Sequence, residues 1–201
     1  MTSYLLVHGG NQDGSVWNGV RKYLTKTGNT VINPSMTPIN QTTLNHNIEE
    51  IAFIIQKSNL QDIILVGHSY GSMVISGIAD KCFEKIACLV YIDSAVPKSG
   101  DSLYSIFSQN DTNAQDFGLE TYKPCTEALT FNETKLASLK KVYIHCLQSQ
   151  FLRATQSIYK KVIDKAPSDN WIYFDLDTDH NCMISQPKQL SIILGGLPIV
   201  L

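Results

Sequence analysis

Residues 62–79, DIILVGHSYGSMVISGIA, constrain the fold of this chain more than any other stretch. Ile63 to Val66 is an apolar run of the length of a buried strand, and Met73, Val74, Ile78 and Ala79 then recur at helical spacing. Between the two patterns stands Gly67-His68-Ser69-Tyr70-Gly71, a G-x-S-x-G turn. A strand that passes into a helix through so few residues turns sharply, and the residue at the corner takes strained dihedrals. Glycine two positions before and two after removes the Cβ atoms that would hold strand and helix apart. The corner lifts the serine hydroxyl above the sheet edge, where a base can reach it, and aims the first amides of the helix at the same point. The motif alone recurs by chance; strand before and helix after make it specific.

The same alternation extends along the chain. Residues 4–7 are a short apolar strand ended by His8-Gly9-Gly10, and glycines there let a loop turn tightly with its amides exposed. A looser loop, 11–15, leads into a helix through Trp17, Val20 and Leu24, which Gly28-Asn29 stops. Residues 30–33 are the next strand, followed by a loop marked by Pro34 and Pro38. Leu44, Ile48, Ile51, Ala52 and Ile55 share one face of a helix over about 43–56. After the serine helix, residues 86–92 read as a strand closing at Asp93. This order predicts an α/β fold, a mostly parallel central sheet with helices on both faces. Sites on such sheets lie at the carboxyl ends of the strands, where His8 to Gly10, Ser69 and Asp93 all fall. The alternation lapses over 97–138, a stretch rich in Ser, Asp, Asn and Thr with scattered aromatics and short helices near 103–107 and 136–139. It departs from the edge that carries the chemistry, which predicts a lid over the site. Periodicity returns with a strand at 141–146, a helix at 151–163, a strand at 171–176 and a last helix at 187–194.

The chain, 1–201, is expected to form one domain with a substantial core. Its 43% hydrophobic and 17% charged residues are those of a soluble globular protein, and a net charge of −2 without a basic run argues against a nucleic-acid partner. MTSYLLVHGG lacks the basic leader and long apolar run of a signal peptide. LSIILGGLPIVL is apolar, but its 12 residues are too few to span a bilayer, and Gly195, Gly196 and Pro198 interrupt it, so no membrane association is expected. A final helix packed on the sheet is the reading there, with a homodimer contact as the alternative. Cys82, Cys88, Cys125, Cys146 and Cys182 are odd in number and have no close pair, which predicts reduced thiols in a cytoplasmic protein. No Cys/His spacing suggests zinc, so no metal is expected.

A serine hydroxyl is a poor nucleophile at neutral pH and needs a base. His68 lies inside the turn with its side chain expected to point away from its neighbour. His8 orients the loop that begins at Gly9. His46 falls on a helix and His145 within a strand, both structural positions. His180 follows the last strand, in a loop that can reach over the sheet edge to Ser69, and is the expected base. A carboxylate should hold the imidazole. Asp175, Asp177 and Asp179 are too near His180 in sequence. Two strand ends remain: Leu147-Gln148-Ser149-Gln150 offers no carboxylate, whereas the other closes at Asp93. Asp93 is therefore the expected acid, its alternative being a loop-capping aspartate before Pro97. Acyl transfer also needs donors where negative charge develops. The amide of Tyr70 is one, and the loop after the first strand supplies the second, at Gly10.

Taken together these residues resemble the α/β-hydrolase superfamily, and more narrowly small esterases akin to plant methyl-ester esterases, hydroxynitrile lyases and bacterial pyrethroid-hydrolase-like proteins. The pieces that carry the resemblance are YLLVHGG, Trp17, DIILVGHSYGSMVISGIAD, LVYIDSAVPKSGDSL and LDTDHNCMISQPKQL. It implies Ser69 as nucleophile, His180 as base, oxyanion amides at Gly10 and Tyr70, a small lid, and neither metal nor cofactor. The chain departs from these relatives at several points. They commonly place the acid after the strand corresponding to 141–146, where Ser149 stands here; Asp179 stands where glycine commonly precedes the base; and hydroxynitrile lyases carry lysine at the position of Asn181.

The expected function is a serine esterase that cleaves small carboxylic esters through an acyl-enzyme. Leu103, Tyr104, Phe107, Phe117 and Tyr122 are the candidate substrate-binding residues of an apolar pocket, packing within the lid being their other reading. A lyase on the same scaffold is disfavoured by Asn181. A non-catalytic ligand-binding protein that keeps the hydrolase fold is the alternative from another class, on the strength of Ser149.

Overall fold

Apolar runs separated by helical patterns fold as six strands with helical crossovers in the computed structural model, which describes residues 1–109, 114–165 and 171–197. β1 (Ser3–Val7) passes through a 3-10 turn at Gly14–Trp17 into α1 (Asn18–Lys26), and β2 (Thr30–Ile32) follows. Next come α2 (Leu44–Lys57), β3 (Ile63–His68), α3 (Gly71–Lys81) and β4 (Ile86–Ile92). The insertion holds α4 (Leu103–Ser108), α5 (Lys123–Thr126) and α6 (Glu133–Ser138). β5 (Lys140–Cys146), α7 (Leu152–Lys165), β6 (Trp171–Leu176), α8 (Cys182–Ser185) and α9 (Pro187–Gly195) complete the order.

All strand pairs are parallel, in the order β2-β1-β3-β4-β5-β6. The chain adds β2 on one side of β1 and β3 on the other. Right-handed crossovers therefore send α1 to one face and α2, α3 and α7 to the opposite one. The side chains follow suit: Leu5 and Val7 of β1 join a core with α2 and α3, whereas Tyr4 and Leu6 join a core with α1 and α9. β3 is buried at every residue, which explains its continuous apolar run. Strand order reverses between β1 and β3, the place where sheets of this kind open a crevice.

Local chemistry sets the helix starts. The Thr43 side chain accepts from the His46 amide, so Thr43 is the cap and α2 begins at Leu44, the first residue of its periodic pattern. Ser102 and Ser105 cap α4 reciprocally, and Asn132 caps α6. The insertion is closed on itself where Gly100 N donates to Leu129 O (2.7 Å) and Leu129 N to Asp101 O (2.8 Å). Glu127 of the insertion accepts from the Leu44 amide at 2.8 Å, which satisfies an open donor at the start of α2. Residues 110–113 of the expected lid lie outside the described residues. So do residues 198–201, the end of the apolar C-terminal stretch, whose helical part buries Leu190 and Leu194 against the sheet. All five cysteines are free and buried. Among the described residues no helix is long and apolar enough to cross a membrane.

Candidate active site

The corner between β3 and α3 is as tight as the glycine spacing requires. A Cβ on Gly67 would sit 2.7 Å from the Gly71 carbonyl oxygen, and one on Gly71 would sit 2.7 Å from His8 O and 2.8 Å from Val7 O. Ser69 takes φ +51°, a left-handed conformation that costs about 1–3 kcal/mol in a non-glycine residue. Its amide donates to Ile92 O at 3.2 Å, which pins the corner to the end of β4.

That same end carries Asp93, also left-handed, at φ +42°, with its amide bonded to Ile144 O at 2.8 Å. Its buried carboxylate oxygen Oδ2 lies 2.6 Å from His180 Nδ1. An ionised carboxylate only accepts, so the imidazole carries its proton on Nδ1 and presents Nε2 as a lone pair. Asp93 is thus the carboxylate that reaches the histidine. At the other strand end, Ser149 instead braces the turn that leads into α7: its Oγ accepts from Phe151 N at 3.0 Å. Ser69 and His180 line one cavity, and no hydrogen bond joins them; such bonds are often long in unliganded sites.

The loop that carries His180 is held from several sides. His68 Nε2 donates to the His180 carbonyl oxygen at 2.9 Å, and the two rings lie 4.4 Å apart. Burial first, and His180 second, hold His68 well below the usual imidazole range, so it stays neutral. Phe151 also packs against His180, ring centroids 4.5 Å apart. The Asp179 carboxylate turns to the Asn181 amide (2.8 Å) and to Ser185 Oγ (2.7 Å).

Gly10 and Tyr70 also border the cavity, and among the described residues neither amide has a protein acceptor. His8 shapes the loop before Gly10: its Nδ1 bonds Gly9 O at 2.8 Å while Nε2 accepts from Met36 N at 3.0 Å. Two opposite roles on one ring require the neutral form, and burial lowers the His8 pKa to match.

The cavity measures about 360 Å³, and among the described residues none that lines it is Asp, Glu, Lys or Arg. Leu103, Phe107, Phe117 and Tyr122 line it, as do Ile39, Leu119, Cys125 and Phe151. Tyr104 is not among the lining residues; it packs half-buried against the core. Phe107, Phe117 and Phe151 form a ring cluster, with centroids 4.8–6.4 Å apart, that ends on His180. Burial pushes the Cys125 thiol up to about 12, so it is no thiolate. Among the described residues no group of three or more His, Cys, Asp or Glu side chains is placed to hold a metal ion. The sequence reading passes over Gln12 and Phe151 and takes His68 only as a turn residue, whereas its ring lies on His180. Only position signals them: each lies within a few residues of a strand's carboxyl end.

Residues 4–130 match the alpha/beta hydrolase family. A carbendazim hydrolyzing esterase of Nocardioides sp. (strain SG-4G) is 40% identical over 114 residues, which cover 53% of this chain and 47% of that protein. The match thus spans about half the length of that curated relative. An extracellular alpha/beta-hydrolase from a Paenibacillus species superposes with a TM-score of 0.80 at 18% identity, over 96% of this chain and 98% of that one. A pyrethroid hydrolase from Sphingobium faniae JZ-2 gives a TM-score of 0.80 at 18% identity over 96% of each chain. Polyneuridine aldehyde esterase gives 0.76 at 17% identity, over 96% of this chain and 98% of that one. At such identities the superpositions speak for the fold.

Proposed function

This chain belongs to the alpha/beta hydrolase family, and from that premise we propose that it is a serine hydrolase of small, uncharged carboxylic esters. The observation that carries the reading is the buried 2.6 Å contact between Asp93 and His180 at the cavity that holds Ser69. In this mechanism Ser69 Oγ attacks the ester carbonyl carbon while His180 Nε2 takes its proton. Asp93 holds the Nδ1–H tautomer and stabilises the imidazolium. The amides of Gly10 and Tyr70 receive the oxyanion. The tetrahedral adduct collapses, the alcohol leaves with the proton from His180, and the acyl-Ser69 ester remains. Water then attacks with His180 as base, and the carboxylic acid is released.

The lining, without Asp, Glu, Lys or Arg among the described residues, supports a neutral substrate, since burying a charge without a partner is costly. The ring cluster of Phe107, Phe117 and Phe151 supports an apolar or aromatic moiety beside the imidazole. The segment 97–138 serves as a lid, with Leu103, Phe107, Phe117 and Tyr122 as its substrate-binding residues. The relatives, an esterase and a hydrolase by name, support ester chemistry. The unmade bond between Ser69 and His180 favours a second reading, a ligand-binding protein without turnover. A fluorophosphonate probe and p-nitrophenyl esters decide between them. The intact protein is expected to label and to hydrolyse, with Ser69→Ala losing both; an intact protein that does neither refutes the hydrolase.

A further inference from the structure

We propose that Gln12 is a positioning residue that locks the oxyanion loop to the loop carrying the base, an inference that rests on the hydrolytic reading of Ser69, His180 and Asp93. Gln12 Oε1 accepts from the Gly9 amide at 3.0 Å, and its Nε2 donates to Asn181 Oδ1 at 2.9 Å. A backbone N–H can only donate, so the atom facing Gly9 is the oxygen, the nitrogen faces Asn181, and Asn181 answers with its own oxygen. One carboxamide therefore spans from the residue before the Gly10 donor to the residue after His180. It joins positions 169 apart in sequence.

The rest of the site is built to make this span rigid. Asn181 is held on its own amide by Asp179 (2.8 Å), and its carbonyl accepts from Ile184 N at 2.8 Å. His180, one residue back, is held through its carbonyl by His68 (2.9 Å). The base loop is thus tied at consecutive residues, to the elbow through His68 and to the oxyanion loop through Gln12. Gly9 lies in the middle of this arrangement: a Cβ there would stand 3.0 Å from Gln12 Oε1, 3.0 Å from His68 Nδ1 and 3.1 Å from the Ser69 Cβ. A carboxamide offers an acceptor to Gly9 and, on a separate atom, a donor to Asn181. A carboxylate would meet the Asn181 oxygen with another oxygen and set a charge in a cavity whose described lining holds no Asp, Glu, Lys or Arg.

Acyl transfer requires the oxyanion donors and the base to address one carbonyl group together. A misplacement of about 1 Å between such parts costs on the order of a hundredfold in rate. Gln12 lines the cavity beside both loops, and its two bonds fix the distance between them.

The test is steady-state kinetics on p-nitrophenyl butyrate, at the alkaline plateau of the pH profile, alongside melting temperatures. Gln12→Met is expected to lower kcat about thirtyfold with KM within about twofold. Asn181→Leu should do the same, and the double variant should be no worse than about threefold below the weaker single, because one bridge is lost only once. Asn181→Gln keeps an uncharged acceptor oxygen on a side chain one methylene longer and should retain at least about threefold more kcat than Asn181→Leu. A Gln12→Met protein with near-normal kcat, or losses that multiply in the double variant, overturns the lock. If Gln12→Met melts early, Asn181→Leu against Asn181→Gln decides: equal kcat for the two overturns the lock. A wild-type protein that neither labels with fluorophosphonate nor turns over removes the hydrolytic reading and the lock with it. An active wild type with an equally active Gln12→Met removes the lock alone.

Discussion

The two walls of the cavity are made in different ways. The wall at the sheet edge is held by directional bonds between strand ends: Ser69 N to Ile92 O, Asp93 N to Ile144 O, His180 to Asp93, and His68 to the His180 carbonyl. The wall from the insertion is held by ring contacts, such as Phe107 with Phe117 at 6.0 Å and Phe117 with Phe151 at 4.8 Å. Hydrogen bonds fix angle and distance, whereas apolar contacts mainly fill volume. On the proposed function, the first wall sets what reaction occurs and the second sets what fits. The difference teaches that substitutions on the first should act on kcat and those on the second on KM.

The most severe way to break the contrast lies at Asp93. Asp93→Asn keeps the shape and tolerates the left-handed φ of +42°. It should lower kcat by about ten-thousandfold, the scale of a lost triad carboxylate, with the melting temperature little changed. A folded Asp93→Asn protein with near-normal turnover would sink the assignment of the acid. The second wall gives a smaller effect. Phe117→Leu should raise KM for an aromatic ester about tenfold while leaving kcat and the KM for p-nitrophenyl acetate within about threefold. A fall in kcat without a change in KM would put Phe117 on the wrong side of the comparison.

The mildest effect sharpens the comparison at the border, where His68 is buried and kept neutral. Its folded pKa lies below the unfolded value, so the unfolded chain binds the proton first. Stability from this residue is present above about pH 6.5 and declines as pH falls below it. His68→Gln should therefore flatten the drop in melting temperature between about pH 6.5 and 5. Equal slopes for both proteins would show that the histidine is not held neutral.

The sheet was legible because strands and helices carry their own periods, and β3 with α3 even showed the elbow glycines whose Cβ atoms have no room. Asp93 was reached by elimination among strand ends, since topology puts chemistry there. Gln12 and Asn181 meet across most of the chain's length, and no local pattern reports such a contact. Phe151 read as the first turn of a helix, yet its ring lies on His180. Tyr104 read as a pocket residue, yet neighbouring helical positions face different ways, and Leu103 lines the cavity where Tyr104 does not.

Two adjacent strands, β3 and β4, run out into residues of left-handed backbone, at φ +51° and +42°. Each is a non-glycine residue where glycine would be at ease, and each costs the native state about 1–3 kcal/mol. Thermostabilising selection on this protein should be drawn to those two positions, and on the proposed function glycine at either would leave a sturdier molecule without its nucleophile or its acid. Heat resistance that keeps the proposed chemistry has to come from other positions.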